Sequence, residues 1–179
     1  YERNFGSSRD VKDIREGVSF SKLFEAASLC QVPAKAKLQI LEWALFNLII
    51  GKADAHGKNI SFYLSKQGIA VAPHYDMLSI LMHEEVDHEL AMAFGDEFDA
   101  DRVAGYPLRA FAEDTGLNPK LVSDRLIQLC KKIDEALPQL SIEMSLINEE
   151  EKSFISRLHL VIEKRIKILK VAAEEMLKV

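Results

Sequence analysis

The chain has 179 residues, 48% of them hydrophobic and 28% charged, with a formal net charge of −5. That length fits one domain or a large lobe with its own core. The acidity argues against non-specific nucleic-acid binding, which needs a basic field. No apolar run reaches the length of a membrane span, and no signal-peptide pattern is present.

Cys30 and Cys130 are the only cysteines and lie far apart. With no C-x-x-C and no paired-cysteine metal spacing, zinc-finger and thioredoxin-type readings fall away. Both are expected to be reduced and buried, as free cysteines commonly are, which fits a cytoplasmic location. The first residue is Tyr1 rather than Met, as expected of a piece cut from a longer protein.

Residues 1–17 are polar, carry Gly6 and Gly17, and show no sustained period, so they read as a loop or linker. Ser19 to Leu29 reads as a short helix capped by Ser19, with Phe20, Leu23, Phe24 and Ala27 on its apolar face. Pro33 suits the first turn of the next helix. That helix is apolar nearly all round (Leu38, Leu41, Trp43, Leu45, Phe46, Leu48, Ile49, Ile50), so it should be buried and central, ending at Gly51. Ile60 to Leu64 and Ile69 to Ala72 read as two short strands joined by Ser65-Lys66-Gln67-Gly68. Asp76 to Leu81 is expected to form a helical turn, His88 to Ala93 a further strand, and Asp96 to Asp101 an acidic loop.

From Tyr106 the pattern is helical and stops at Thr115-Gly116. Asn118 and Pro119 restart a helix as cap and first residue, with Leu121, Val122, Leu126, Leu129 and Ile133 as its face. Pro138 to Ile147 is expected to be a connection. Asn148 and Glu151 resemble a capping pair. The last helix follows with Ile155, Leu158, Ile162, Ile166, Leu169, Ala173 and Met176 on one face. Lys164, Arg165, Lys167 and Lys170 read as its solvated side.

The chemistry concentrates in Gly51-Lys52-Ala53-Asp54-Ala55-His56-Gly57-Lys58-Asn59 and in Pro73-His74-Tyr75-Asp76. Phosphoryl transfer asks few things of a protein: a carboxylate to receive the nucleophile's proton, and an amide plus a second carboxylate to hold Mg²⁺ on the phosphates. Asp54 and Asn59 are five positions apart, the kinase catalytic-loop spacing. The hairpin after Asn59 would return Asp76 beside it, and both offer the oxygen ligands Mg²⁺ prefers. Each residue also has a blander reading. Asp54 suits a turn cap, Asn59 a turn amide, and Asp76 the N-cap of Met77 to Leu81. His56 suits a loop histidine bonded to backbone, and Lys58 a solvated lysine.

Asn47-Leu48-Ile49-Ile50-Gly51, then Asp54-x-His56-x-Lys58-Asn59-x-Ser61, then Ala72-Pro73-x-Tyr75-Asp76-x-Leu78-Ser79, resembles the C-terminal kinase domain of the HipA-like family. Glu89-Leu90-Ala91-Met92-Ala93 and Phe111-Ala112-Glu113-Asp114-Thr115-Gly116-Leu117 extend the likeness, which covers roughly Ser19 to Leu137. The family comprises bacterial serine/threonine kinases best known as toxins of toxin–antitoxin pairs. The resemblance implies a mainly α fold across residues 1–179: a helical C-terminal kinase-like lobe with a small β-hairpin at its active site. It implies Asp54 as the catalytic base, Asn59 and Asp76 as Mg²⁺ ligands, and His56 and Lys58 near the phosphates of ATP. It implies a protein substrate and a helix-turn-helix, HipB-like antitoxin, with DNA reached only through that antitoxin. Phosphatidylinositol-type lipid kinases carry a similar Asp-x-His-x-x-Asn loop, so the loop alone leaves the substrate class open. Lys52 departs from the Asn common in the family at that position.

A kinase also needs a glycine-rich cover over the phosphates and a strand-borne Lys. Gly6-Ser7-Ser8 is no such loop, and the family keeps those parts in an N-terminal region. The ATP-covering lobe is therefore expected to be absent from this chain, and the chain alone to be inactive. Other classes stand beside this reading. A pseudokinase or partner-binding lobe would need the same fold without turnover. A DNA-binding helix pair would use Phe111 to Leu129 with Arg125, Lys131 and Lys132, although Asp114, Asp124 and the net charge oppose it. A metal-dependent hydrolase would draw on His74, His83-Glu84-Glu85-Val86-Asp87-His88 and Asp76, without an H-E-x-x-H spacing.

Overall fold

The helix that organises the molecule is α2, Pro33–Ile50. In the computed structural model, which describes residues 18–83, 88–143 and 147–179, Ile40, Leu41, Trp43, Leu45, Leu48 and Ile49 of this helix are buried. A helix without a polar face must be covered on all sides. α1 (Phe20–Ala27), α4 (Pro119–Glu143), α5 (Glu149–Glu175) and the second strand of a hairpin all pack on it. α3 (Gly105–Asp114) closes the other end against α1, α4 and α5. The expected mainly α lobe is thus what the chain forms. The readings placed on residues 1–17 and on Glu84 to Asp87 fall outside the described residues.

Several boundaries follow from caps. Ser19 Oγ accepts from Lys22 N at the start of α1, and Asn118 Oδ1 accepts from Lys120 N at 2.8 Å at the start of α4. Asn148 and Glu151 form a full capping box on α5, with both bonds at 2.9 Å. Three phenylalanines tie the first helix, a strand and α3 together. Phe20 lies 5.0 Å from Phe94 and 5.0 Å from Phe111, and Phe94 lies 4.7 Å from Phe111, ring centre to ring centre.

Two antiparallel hairpins complete the described architecture. β1 (Phe62–Ser65) pairs with β2 (Gly68–Val71) from Phe62 opposite Val71 to Ser65 opposite Gly68. The turn is held by Ser65 Oγ, which accepts from Gln67 N at 3.2 Å. β3 (Glu89–Phe94) pairs with β4 (Glu97–Asp99).

Four expectations are corrected. Glu97–Asp99 is a strand and not part of an acidic loop, because Gly95, at φ 59°, reverses the chain and lays it on β3. Asp76 to Leu81 is not a helical turn: Ile80 N donates to Gly51 O at 3.2 Å, so the segment bonds to the end of α2 and not to itself. Pro138 does not begin a connection, since α4 runs through it to Glu143 while Leu137 stays buried beside it. Arg165 is not on a solvated face: it is 4% exposed and points inward to α2. Cys30 and Cys130 are both free and buried. Among the described residues, no helix is long and apolar enough to cross a membrane.

Candidate active site

The site begins where α2 ends. Gly51 takes the left-handed conformation at φ 74°, and a Cβ there would lie 2.2 Å from Leu81 Cδ1, so only glycine fits this turn. Lys52 N then donates to Asn47 O at 2.9 Å. The turn sends the Lys52 side chain inward, where it is 1% exposed. The next residue, Ala53, is buried and accepts from Ala91 N at 2.7 Å, which fixes the loop against β3.

Asp54 follows with its side chain 52% exposed. The backbone then closes a single 3₁₀ turn, Gly57–Asn59. His56 Nδ1 accepts from Lys58 N at 3.2 Å, and Asn59 Oδ1 accepts from His56 N at 3.1 Å. The reading of His56 as a histidine satisfied by backbone therefore describes its ring in this structure. This reciprocal arrangement buries Asn59 to 7% exposure and fixes the direction of its amide.

The hairpin β1–β2 brings the chain back. Tyr75, anchored through its hydroxyl to Lys58 O at 2.5 Å, delivers Asp76 beside Asn59. Asn59 Nδ2 donates to Asp76 Oδ2 at 2.5 Å. Asp76 sits at φ 56°, a region that aspartate tolerates better than most residues. It is not the N-cap of a helix. Lys52 joins the two carboxylates: its Nζ lies 3.1 Å from Asp54 Oδ1 and 2.9 Å from Asp76 Oδ2. The Lys52 ammonium, helped by His56 and Asn59, holds the Asp76 carboxyl below the usual carboxylate range.

Asp54, His56, Lys58, Asn59 and Asp76 thus lie on one edge, formed by the end of α2, the 3₁₀ turn and the segment after β2. Asp54 and Asp76 offer the carboxylate oxygens that Mg²⁺ prefers, and Asn59 offers an amide whose Oδ1 accepts from His56 N while its Nδ2 faces Asp76. Asp54 and Asp76 keep about half of their surface open, at 52% and 49%. Among the described residues there is no group of three His, Cys, Asp or Glu able to hold a metal. Two half-open carboxylates and an amide fit a Mg²⁺ that keeps most of its ligands as water or phosphate oxygens. A cavity of about 360 Å³ between α1, β3 and α3 includes none of these residues in its lining.

Sequence reasoning set Lys52 aside as a neutral departure, yet it binds both acids. It also missed Arg165, whose Nε and Nη2 donate to Leu48 O at 2.9 and 2.6 Å, six residues before Asp54. The signal for Arg165 was its place among Ile162, Ile166 and Leu169, on the apolar stripe itself. On the rival DNA-binding helix pair, Lys120, Arg125 and Lys131 are each met by a carboxylate, from Asp124, Glu42 and Glu135.

Comparison with known proteins bears on the same stretch. Residues 5–137 match the family described as the HipA-like C-terminal domain. The chain is 46% identical over 156 residues to the serine/threonine-protein kinase toxin HipA of Shewanella oneidensis, covering 87% of this chain and 36% of that protein. It is 32% identical over 153 residues to the putative kinase Y4mE of Sinorhizobium fredii, covering 81% of this chain and 36% of that protein. Its fold superposes on a chain of the Shewanella oneidensis complex of HipA, HipB and operator DNA with a TM-score of 0.93 at 41% identity, over 100% of this chain and 42% of that one. The chain spans 36% of the length of the curated relatives it matches. The family match over residues 5–137, with two relatives above 30% identity over more than four-fifths of the chain, makes this chain a member of the HipA-like C-terminal domain family.

Proposed function

We propose that the chain is the catalytic lobe of a serine/threonine protein kinase that moves the γ-phosphoryl group of ATP to a protein hydroxyl. The observation that carries this reading is the meeting of Asn59 and Asp76 at 2.5 Å, with Asp54 tied to Asp76 through Lys52. Two relatives named as a kinase toxin and a putative kinase support it.

In this reading Asp54 orients the substrate hydroxyl and accepts its proton as the oxygen attacks phosphorus. Asn59 and Asp76 would hold Mg²⁺, and His56 and Lys58 would face the phosphates from the 3₁₀ turn. Bound Mg²⁺·ATP supplies the phosphoryl group and neutralises its developing charge. The 3₁₀ turn and the Tyr75 anchor bring the amide beside the carboxylate, and holding a metal there would replace the Nδ2–Asp76 bond with ligation through Asn59 Oδ1.

The parts that cover the nucleotide, a glycine-rich loop and a strand-borne lysine, belong to an N-terminal region in the family resemblance. The lobe by itself is therefore expected to bind ATP weakly and to transfer no phosphate. We further propose a toxin role, a cytoplasmic setting and a HipB-like antitoxin partner through which DNA is reached. The support is the structural match to a HipA–HipB–operator complex.

Phosphate transfer from γ-labelled ATP by the full-length protein, beside Asp76→Asn, tests the proposal. Label that appears with the wild type and vanishes with the variant supports it. A folded wild type that transfers nothing would favour a pseudokinase or partner-binding lobe. That second reading has one observation of its own: Asp76 Oδ2 is already engaged by Lys52 and Asn59.

A further inference from the structure

Lys52 is buried to 1% exposure, and its charge is met by two acids that are themselves half open to water. A buried ammonium is tolerated only where its charge and donors are answered. Here the answer is asymmetric. The stem is enclosed behind the loop, and only Nζ reaches the site, at 3.1 Å from Asp54 and 2.9 Å from Asp76. Asp54 and Asp76 belong to separate segments and would repel each other across the site without it. With it they share one cation, and Asp76 Oδ2 takes a second donor from Asn59.

That arrangement has a consequence for metal. A free divalent cation approaching Asp76 meets a fixed positive charge a few ångströms away, on an oxygen already engaged. A metal carried on a triphosphate brings anionic oxygens that answer the same ammonium. We propose that Lys52 is a positioning residue that holds Asp54 and Asp76 together before ligands arrive and excludes free Mg²⁺, so that metal enters this site only on the nucleotide. The inference rests on the assignment of Asp54 and Asp76 to the phosphate site.

The test is nucleotide-free Mn²⁺ binding to the full-length protein, followed by electron paramagnetic resonance. Removing one like charge beside the ion should matter strongly at this range, so Lys52→Met is expected to bind Mn²⁺ about tenfold more tightly than wild type. Lys52→Arg keeps the charge and should stay within about threefold of wild type. Lys52→Asn serves as a second neutral variant should Met not fold, with the same tightening expected. In phosphate transfer, the neutral variants should need less Mg²⁺ and show a lower kcat, with a smaller change in KM for ATP. Equal Mn²⁺ affinity in the wild type, the Arg variant and a folded neutral variant would overturn the proposal. Because Mn²⁺ binding is read without turnover, a protein that transfers no phosphate would fail the kinase reading while still answering this one.

Discussion

Arg165, 117 residues away in sequence, donates two hydrogen bonds to the carbonyl oxygen of Leu48 in the last turn of α2. The last carbonyls of a helix have no partner within it. Here Arg165 of α5 satisfies one of them, and its Nη1 reaches Asp101 at 3.1 Å. Burial pushes the guanidinium down from its ordinary range, against the attraction of Asp101 and Asp99. The C-terminal helix thus holds the end of α2 from which the acidic loop departs. Arg165→Ala would leave a buried carbonyl unpaired and should cost roughly 1–3 kcal/mol. Chemical unfolding checks this, with Lys167→Ala on the exposed face as the control expected to change little.

Pro138 tests a different conflict. It lies inside α4, where its ring removes the backbone bond to Asp134 and crowds that turn. The helix continues because Leu137 is buried and α4 packs along α5. Pro138→Ala restores the donor without touching that packing, since position 138 itself is exposed. It is expected to raise stability by about 1–3 kcal/mol, seen as a higher unfolding midpoint at unchanged slope. A lower midpoint would mean that the stiffness Pro138 gives the unfolded chain outweighs the restored bond.

Cys130 supplies a pH signature. Burial pushes its thiol up to about 11. Its folded value is raised above that of the unfolded chain, so neutral thiol is favoured by folding. The contribution is fully present below the unfolded value and is lost as pH rises from about 8.5, an ordinary thiol value, towards about 11. Wild type should lose more stability across that window than Cys130→Ala does, whatever the offset between them at neutral pH. The native thiol should also react slowly with alkylating reagents at pH 8.

What the sequence made legible was what local chemistry alone decides. Ser19, Asn118 and Asn148 announced their helices because a capping side chain acts within three residues. The turn from Ser65 to Gly68 announced the hairpin, and with it the return of Asp76 to Asn59. The misses have two causes: a distant contact that decides, and a local signal outweighed by neighbouring charges. Lys52 reads only as a departure from the family's Asn until Gly51 turns it inward. Arg165 was grouped with its charged neighbours although its spacing from Ile162 and Leu169 placed it on the buried stripe. Glu97–Asp99 looked like an acidic loop, although Gly95-Asp96 is a hairpin-turn pair and Phe98 a single apolar position between acids. The proposed roles of Asp54, Asn59 and Asp76 in turnover are separable by measurement on the full-length protein.

Asp54 offers the most direct such measurement. It is the only one of the three whose proposed role is to handle a proton, and its side chain is half exposed; without it the Lys52 ammonium keeps Asp76 at 2.9 Å as its remaining partner. Asp54→Ala in the full-length protein should therefore fold normally and lower kcat by roughly 10²–10⁴-fold, the range for losing general acid–base assistance. ATP affinity should change far less, because Asn59 and Asp76 would still hold the metal. Asp76→Asn should do the reverse and weaken Mg²⁺·ATP binding first. It swaps one oxygen for an amide donor beside Lys52, leaving the ammonium one carboxylate short. The pair separates roles that a single inactive variant cannot. If Asp54→Ala turns over at the wild-type rate, the proton has another acceptor and Asp54 is a loop cap; if it loses nucleotide instead of rate, Asp54 is a metal ligand.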